Sequence, residues 1–308
     1  SIISKNDGTS EQDAEFLRSV VEESIDLVLE KSEGYVENII GVGFDSMAST
    51  LLGINKYGNP ITPIYTYADT RSNSQVYKIK QDLNQKTLHQ ETGAAQHTSY
   101  IPSKIMWIKE NNNNYKDIDK FVDFSTFVYS KWFENKNFKA SYSISSWSGL
   151  LDRNKLEWHS DLIKYLGISE DKLPVLSPYD NYEKGLNKIY QKRWNKLSNT
   201  PFFLSVGDGM AATVGSGCIN RKKVAITVGS TAAIRILTDS KVEEVPKGLW
   251  CYRLLDKYSL LGGSFSEGGN LINWAYSNLK LPKLENLNKD LLKLSPGAHG
   301  ISILPFLL

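Results

Sequence analysis

Apolar and polar positions alternate along this chain with two different periods, and the change of period marks its elements. Phe16, Val20, Ile25 and Val28 recur at helical spacing, and Ser10-Glu11-Gln12-Asp13 ahead of them reads as a capping-box-like start. The run Ile39-Ile40-Gly41-Val42-Gly43-Phe44 predicts a strand. Leu51 to Ile54 and Ile61 to Tyr65 flank Asn55-Lys56-Tyr57-Gly58-Asn59, a hairpin signal. Helices are expected near 72–91, 103–111, 126–134 and 159–166, with a solvated loop at Asn111 to Asn114 and a connection from Pro174 to Tyr182. Phe202 to Val206 predicts a strand that runs into a short helix, Gly209 to Gly215. Val224 to Val228 and Ala232 to Leu237 predict a strand and its hairpin partner. Ser259 to Gly262 predicts another strand, and Glu267 to Leu279 a helix with Leu271, Trp274 and Ala275 on one face. Strands and helices mix throughout, so the expected class is α/β.

Composition narrows the function. The chain has 308 residues, enough for two domains, and 41% apolar against 23% charged residues supports a sizeable core. Net charge is only +2, and the longest basic run is Arg221-Lys222-Lys223, so there is no clustered basic face for nucleic acid. Apolar stretches fall well short of the roughly 20 residues a membrane helix needs. Cys218 and Cys251 read as reduced packing thiols, and His89, His97, His159 and His299 lack metal-ligand spacing. No basic-then-apolar leader opens the chain, so a cytoplasmic protein is expected. The apolar close Ile301-Ser302-Ile303-Leu304-Pro305-Phe306-Leu307-Leu308 reads as the interior of a longer protein rather than a frayed terminus.

Three glycine-rich strand ends carry candidate chemistry. In Gly207-Asp208-Gly209 a lone carboxylate stands between glycines. The plainer reading is a helix N-cap; the chemical reading is a base that accepts a proton from a hydroxyl, the glycines letting other groups approach. Gly229-Ser230-Thr231 ends a strand with donors suited to a phosphate, although such turns are common. Gly262-Gly263-Ser264-Phe265-Ser266-Glu267-Gly268-Gly269-Asn270 leads into a predicted helix, whose free amides favour anions, but it has neither the Walker nor the dinucleotide spacing. Taken together they point to phosphoryl transfer. Earlier in the chain, Tyr67-Ala68-Asp69-Thr70-Arg71 reads either as a surface ion pair beside an aromatic ring or as the lining of a polyol site.

The order of these motifs resembles the FGGY family of carbohydrate kinases, especially its gluconokinase-like branch. The landmarks are Asp7 to Glu15, Gly58 to Pro63 followed by Tyr67 to Arg71, Thr92-Gly93, His97, Pro102 to Trp107, and Ser145 to Asp152. They continue with Gly207-Asp208-Gly209, Gly229-Ser230-Thr231, Leu249 to Arg253, Gly262 to Trp274 and His299 to Leu308. The resemblance implies a two-domain actin-like, ribonuclease-H-like ATPase fold, incomplete at both termini. Residues 1–203 would be most of a sugar-binding domain, and 204–308 the interdomain segment and the start of a nucleotide-binding domain.

It further implies a kinase that joins ATP and Mg2+ to a sugar or sugar acid, with D-gluconate to 6-phosphogluconate the favoured reaction and a pentulose such as xylulose behind it. Asp208 would be the general base. Ser49, Tyr67, Asp69, Arg71 and Tyr100 would contact the sugar; Gly229, Ser230, Thr231, Gly269 and Asn273 would contact the nucleotide. A homodimer stays open. The chain departs from the family at Ala48-Ser49, where many relatives have Met-His, at Tyr67 in place of tryptophan, and in the order Ser230-Thr231. The family's amino-terminal Asp-x-Gly-Thr turn is absent, so this chain alone is expected to turn over poorly. The rival readings are a degenerate sugar sensor and, more distantly, an actin-like scaffold ATPase.

Overall fold

The computed structural model describes residues 2–32, 34–35, 38–134, 138–229, 231–255, 257–265, 267–295, 297–298 and 300. Ser230 and nearly all of the His299 to Leu308 landmark lie outside them. The chain opens with β1 (Ile3–Ser4) and β2 (Ser10–Gln12), followed by α1 (Ala14–Lys31). Ser10 is therefore extended backbone rather than a cap. Asp13 caps the helix, its carboxylate accepting from Phe16 N at 2.6 Å. The buried stripe also differs from expectation. Leu17, Val21, Ile25 and Leu29 pack inward, while Phe16, Val20 and Val28 are exposed. Starting the helix at Ala14 sets the stripe on the 17-21-25 row.

Next come β3 (Asp45–Ser46), β4 (Leu52–Ile54) and β5 (Ile64–Tyr65). The expected strand over Ile39 to Phe44 is absent as a regular strand. Val42 makes one parallel bridge to Phe202, and ordered pairing starts only at Asp45. The hairpin at Asn55 to Asn59 is present as a turn closed by the Ile54 and Pro60 bridge, but β4 takes its ladder partner elsewhere. The expected helix over 72–91 is two, α2 (Asn73–Asp82) and α3 (Gln85–Thr92), because Asn84 caps the second with its side chain on Thr87 N. α4 (Ile101–Asn111), β6 (Lys120–Val122), α5 (Phe124–Trp132), β7 (Lys139–Ser141), α6 (Tyr142–Ser146), β8 (Leu151–Asp152), β9 (Glu157–Trp158) and α7 (Ser160–Leu166) follow, with β6 the antiparallel partner of β4.

After β10 (Val175–Ser177), β11 (Tyr182–Glu183) and α8 (Lys188–Arg193), the predicted strand at 202–206 divides into β12 (Phe202–Phe203) and β13 (Val206–Gly207). β12 pairs with β11, and β13 runs parallel to β3. α9 (Asp208–Gly215) leads to β14 (Ala225–Val228), β15 (Ala232–Thr238), β16 (Trp250–Arg253) and β17 (Ser259–Phe265). These four strands form one antiparallel sheet in the order β14-β15-β17-β16. α10 (Gly269–Asn278) and α11 (Leu284–Leu291) close the described chain.

Three apolar clusters hold these elements. The first packs α5 against β4 and β12, with Trp132, Trp194 and Phe202 almost fully buried. The second lies under α2, α4 and α7 around Ile79, Ile105, Ile108 and Leu162. The third joins Ala94, Met210, Leu237, Trp250, Tyr252 and Leu260, with Tyr100, Trp147 and Val206 packed against it. This last cluster ties the antiparallel sheet to the first part of the chain and sets the position of the candidate site. Both described cysteines are free and buried, as packing thiols should be.

Candidate active site

Asp208 is placed by two short segments. The Val206 and Gly207 backbone pairs with Asp45 and Ser46, and Val206 N donates to Phe44 O at 3.0 Å. Ser143 Oγ accepts from Gly207 N, and Ser141 Oγ donates to Ser205 O, so neighbouring hydroxyls fix the strand from below. Asp208 is then the first residue of α9, not its cap. Gly207 holds the cap position and contributes no side chain. Among the described residues the carboxylate takes only the Gly209 amide, at 2.7 Å, and it remains solvent-exposed. The N-cap reading is thereby corrected, and the acid stays available for chemistry.

The flanking glycines have a specific cause. A Cβ on Gly207 would come within 2.7 Å of Trp147 Nε1, and one on Gly209 within 2.7 Å of Trp147 Cη2. The indole lies across the loop, so any larger residue on either side of Asp208 would displace it. Trp147 stacks on Tyr252 with ring centroids 4.1 Å apart, and Tyr252 stacks on Trp250 at 4.6 Å. Ser49 Oγ donates to Trp147 O at 2.6 Å, from a backbone with φ of 56°, an uncommon left-handed conformation for a serine. The Tyr100 and Tyr252 hydroxyls share a hydrogen bond of 2.7 Å. Ser49 and Tyr100, expected from sequence to contact the sugar, and Asp208, expected to be the base, thus converge on one aromatic wall.

Two charged residues that sequence reasoning missed flank the carboxylate. Burial, reinforced by the Asp208 charge, raises the Asp45 carboxyl above its ordinary range. Arg235 comes from β15, and its Nε would be 3.2 Å from a Cβ on Gly209. Burial lowers the guanidinium from its usual value while the Asp208 and Tyr252 charges oppose that shift. Neither residue belongs to a short motif. Strand pairing brings in Asp45, and sheet packing on α9 brings in Arg235, so spacing along the sequence holds no sign of either.

Asp69 and Arg71 form a network of their own. Asp69 is 2% exposed and accepts from Ser10 N at 3.0 Å and from Arg71 Nη2 at 2.6 Å. Arg71 also reaches Glu11 at 2.8 Å and lies over the Trp107 ring, 4.6 Å from its centroid. This corrects the surface-pair reading, since the ion pair is largely buried and holds β2 against the start of α2. Tyr67 is 59% exposed beside it.

Gly229, Thr231 and Gly269 also meet. Gly229 N donates to Thr231 O at 2.8 Å, and Gly269 N donates to Gly229 O at 2.6 Å. A Cβ on Gly268 would lie 2.6 Å from Thr231 O, so only glycine allows this approach. The two glycine amides are therefore occupied within the turn. The first turn of α10 has no side-chain cap, but its Gly269 and Leu271 amides are likewise taken, by Gly229 O and Gly268 O. Asn273 is exposed on that helix. Among the described residues no group of three or more His, Cys, Asp or Glu is placed to hold a metal, and no helix is long and apolar enough to cross a membrane.

Comparison with known proteins bears on the family and the fold. The model of the FGGY family of carbohydrate kinases, N-terminal domain, matches residues 1–215. The chain is 26% identical over 281 residues to a gluconokinase of Bacillus subtilis (strain 168), covering 86% of this chain and 54% of that protein. It is 22% identical over 306 residues to a xylulose kinase of Lactococcus lactis subsp. lactis (strain IL1403), covering 97% of this chain and 60% of that one. The fold superimposes on the crystal structure of gluconate kinase from Lactobacillus acidophilus with a TM-score of 0.89 at 22% identity, covering all of this chain and 62% of that one. A xylulose kinase from Rhodospirillum rubrum gives the same TM-score at 14% identity. The chain spans about half the length of the curated relatives it matches. The architecture is thus the actin-like ATPase fold of the sugar kinases, and the chain belongs to the FGGY family of carbohydrate kinases.

Proposed function

We propose that the protein containing this chain transfers the γ-phosphoryl group of ATP to a hydroxyl of a sugar or sugar acid, with Asp208 as the general base. D-gluconate is the favoured acceptor, in keeping with the gluconokinases among its relatives; a pentulose such as xylulose is second. One observation carries the reading: Asp208 opens α9 with an exposed carboxylate that takes no part in capping its helix. The Gly209 amide steadies Oδ1, which leaves Oδ2 to receive the proton as the hydroxyl oxygen attacks phosphorus. Phosphoryl transfer is mostly positioning and charge neutralisation, so what the protein must supply is orientation.

In this reading residues 1–203 bind the sugar, and 204–308 bridge to the nucleotide-binding part. Ser49 and Tyr100 approach the acceptor through the Trp147 and Tyr252 wall; Tyr67 offers an exposed ring, and Asp69 and Arg71 stiffen the segment that carries it. Gly229, Ser230, Thr231, Gly269 and Asn273 border the nucleotide, whose phosphates face the uncapped start of α10. Mg2+, when bound, neutralises phosphate charge; with few protein carboxylates nearby, the phosphates themselves would be its principal ligands.

Replacing Asp208 with Asn in the complete protein tests the base. The expected outcome is a fall in kcat of about 10²–10⁴-fold with unchanged circular dichroism. Gluconate and xylulose phosphorylation persisting near the wild-type rate would refute the assignment.

A further inference from the structure

Among the described residues, two buried donors beside Asp208 have nothing to donate to. Trp147 Nε1 and Arg235 Nε are both enclosed without a hydrogen-bond acceptor. Arg235 spends one donor on Thr227 Oγ1, at 3.0 Å, which leaves its fork incomplete. Among the described residues it makes no ion pair with Asp208, although it lies in that carboxylate's field. Leaving a donor buried and unsatisfied is costly, and an acceptor supplied by a ligand is one way such a group is completed. The two orphans flank the same ribbon. The Trp147 ring runs along Gly207 to Gly209, and Arg235 reaches the Gly209 end of it. A donor-only pair of this kind asks for an anionic acceptor, and a planar guanidinium matches a carboxylate fork.

The strand geometry selects which anion. β15 leaves the Gly229 to Thr231 turn, where the nucleotide is placed, and Arg235 lies four residues beyond Thr231. That is about 13 Å along an extended strand, on the side of the aromatic wall rather than of the turn. Tyr252 is 2% exposed and stacked on Trp147 and Trp250, so it backs the indole rather than facing a ligand, and the charged end of a polyol chain would be directed to Arg235.

We propose that Arg235, assisted by Trp147 Nε1, is the specificity-determining residue for an acidic acceptor, binding the carboxylate of a sugar acid whose hydroxyl is presented to Asp208. The assignment rests on the kinase reading above, and the experiment separates the two. In the complete protein, steady-state phosphorylation of D-gluconate and of uncharged D-xylulose is measured for wild type, Arg235→Met and Arg235→Lys. The expected result for Arg235→Met is a rise of ~10–100-fold in KM for gluconate, the loss of one charge-assisted pair. The preference for gluconate over xylulose falls in step, KM for ATP holds, and Arg235→Lys recovers part of the loss. An unchanged KM for gluconate overturns the proposal. So does an equal fall in kcat for both acceptors, or a rise in KM for ATP, either of which would assign Arg235 to the phosphoryl group. If wild type phosphorylates neither sugar, the kinase reading fails by itself. Calorimetry then decides on Arg235: gluconate binding lost in Arg235→Met upholds the carboxylate assignment, and equal binding by both proteins refutes it.

Discussion

Lys104 shows how far a single buried residue can depart from what its type suggests. It is 2% exposed, with Nζ donating to Ser99 O at 2.9 Å, and burial brings its pKa from the usual 10.5 to about 7 despite the nearby Asp69 charge. Between pH 7 and about 10 the unfolded chain therefore holds a proton that the folded chain has lost, so stability rises with pH across that window. Below pH 7 both states are charged and the burial penalty is present in full. Lys104→Met is expected to flatten the rise and to stabilise the fold at pH 7 by up to a few kcal/mol. Urea unfolding at pH 7 and pH 10 checks this; an equal slope in wild type and variant would show that Lys104 is not the titrating group. The same dependence on surroundings governs the glycines around Asp208. The sequence suggested that they clear a path for ligands, whereas the space they leave is filled by the Trp147 indole.

At the scale of elements, α1 is held by a charge as much as by its apolar stripe. Glu22 is 3% exposed and bonds Arg18, Tyr190 at 2.7 Å, Trp132 Nε1 at 3.0 Å and Arg193 Nη1 at 2.6 Å. Burial alone would raise its carboxyl, but the bonds from Tyr190, Trp132 and Arg18 outweigh it and the net shift is downward. The stability from this lowered carboxyl is present above its unfolded value and is lost as the pH drops below about 4. Glu22→Ala leaves Arg18 and Arg193 without their shared partner and should cost about 3–5 kcal/mol, read as a lower midpoint in thermal or urea unfolding. A loss under 1 kcal/mol would mean that the apolar face alone docks the helix. This element was only partly legible. Its presence and approximate start follow from spacing and an acidic cap, but the stripe that faces inward depends on whether Ser10 or Asp13 caps it. That choice was made when β2 paired with β1 and β5.

Across the whole molecule, the antiparallel sheet leaves part of one face bare: Thr238, Cys251 and Ser259 on it are buried, but its β14 end is not. Thr227, Ala233 and Arg235 lie on the α9 side, while Ile226, Val228, Ile234 and Phe265 are 47–70% exposed on the opposite side. Contiguous apolar surface of this kind promotes association. The 308-residue chain by itself is expected to self-associate, and Ile226→Thr with Ile234→Thr to shift it towards monomer without lowering its unfolding midpoint by more than about 1 kcal/mol. Sedimentation velocity over a range of concentrations gives the answer; a monomer at every concentration before substitution would show that the face is not adhesive.

The sequence by itself determined the α/β class, the strand-turn-strand at Gly229 to Thr231, the helix after Asp208 and, through the order of its motifs, the family. These rest on short-range physics: side-chain period, glycine and asparagine punctuation, and the few residue types that a tight turn admits. Tertiary structure decided the rest. It split the 202–206 run between two partners, buried the Asp69 and Arg71 pair, occupied the glycine amides of the turn, and brought Asp45, Trp147 and Arg235 around Asp208. None of these has a local signature. Pairing and burial are settled by the free energy of contacts between segments tens to more than a hundred residues apart, and a carboxylate's surroundings exist only after those contacts form.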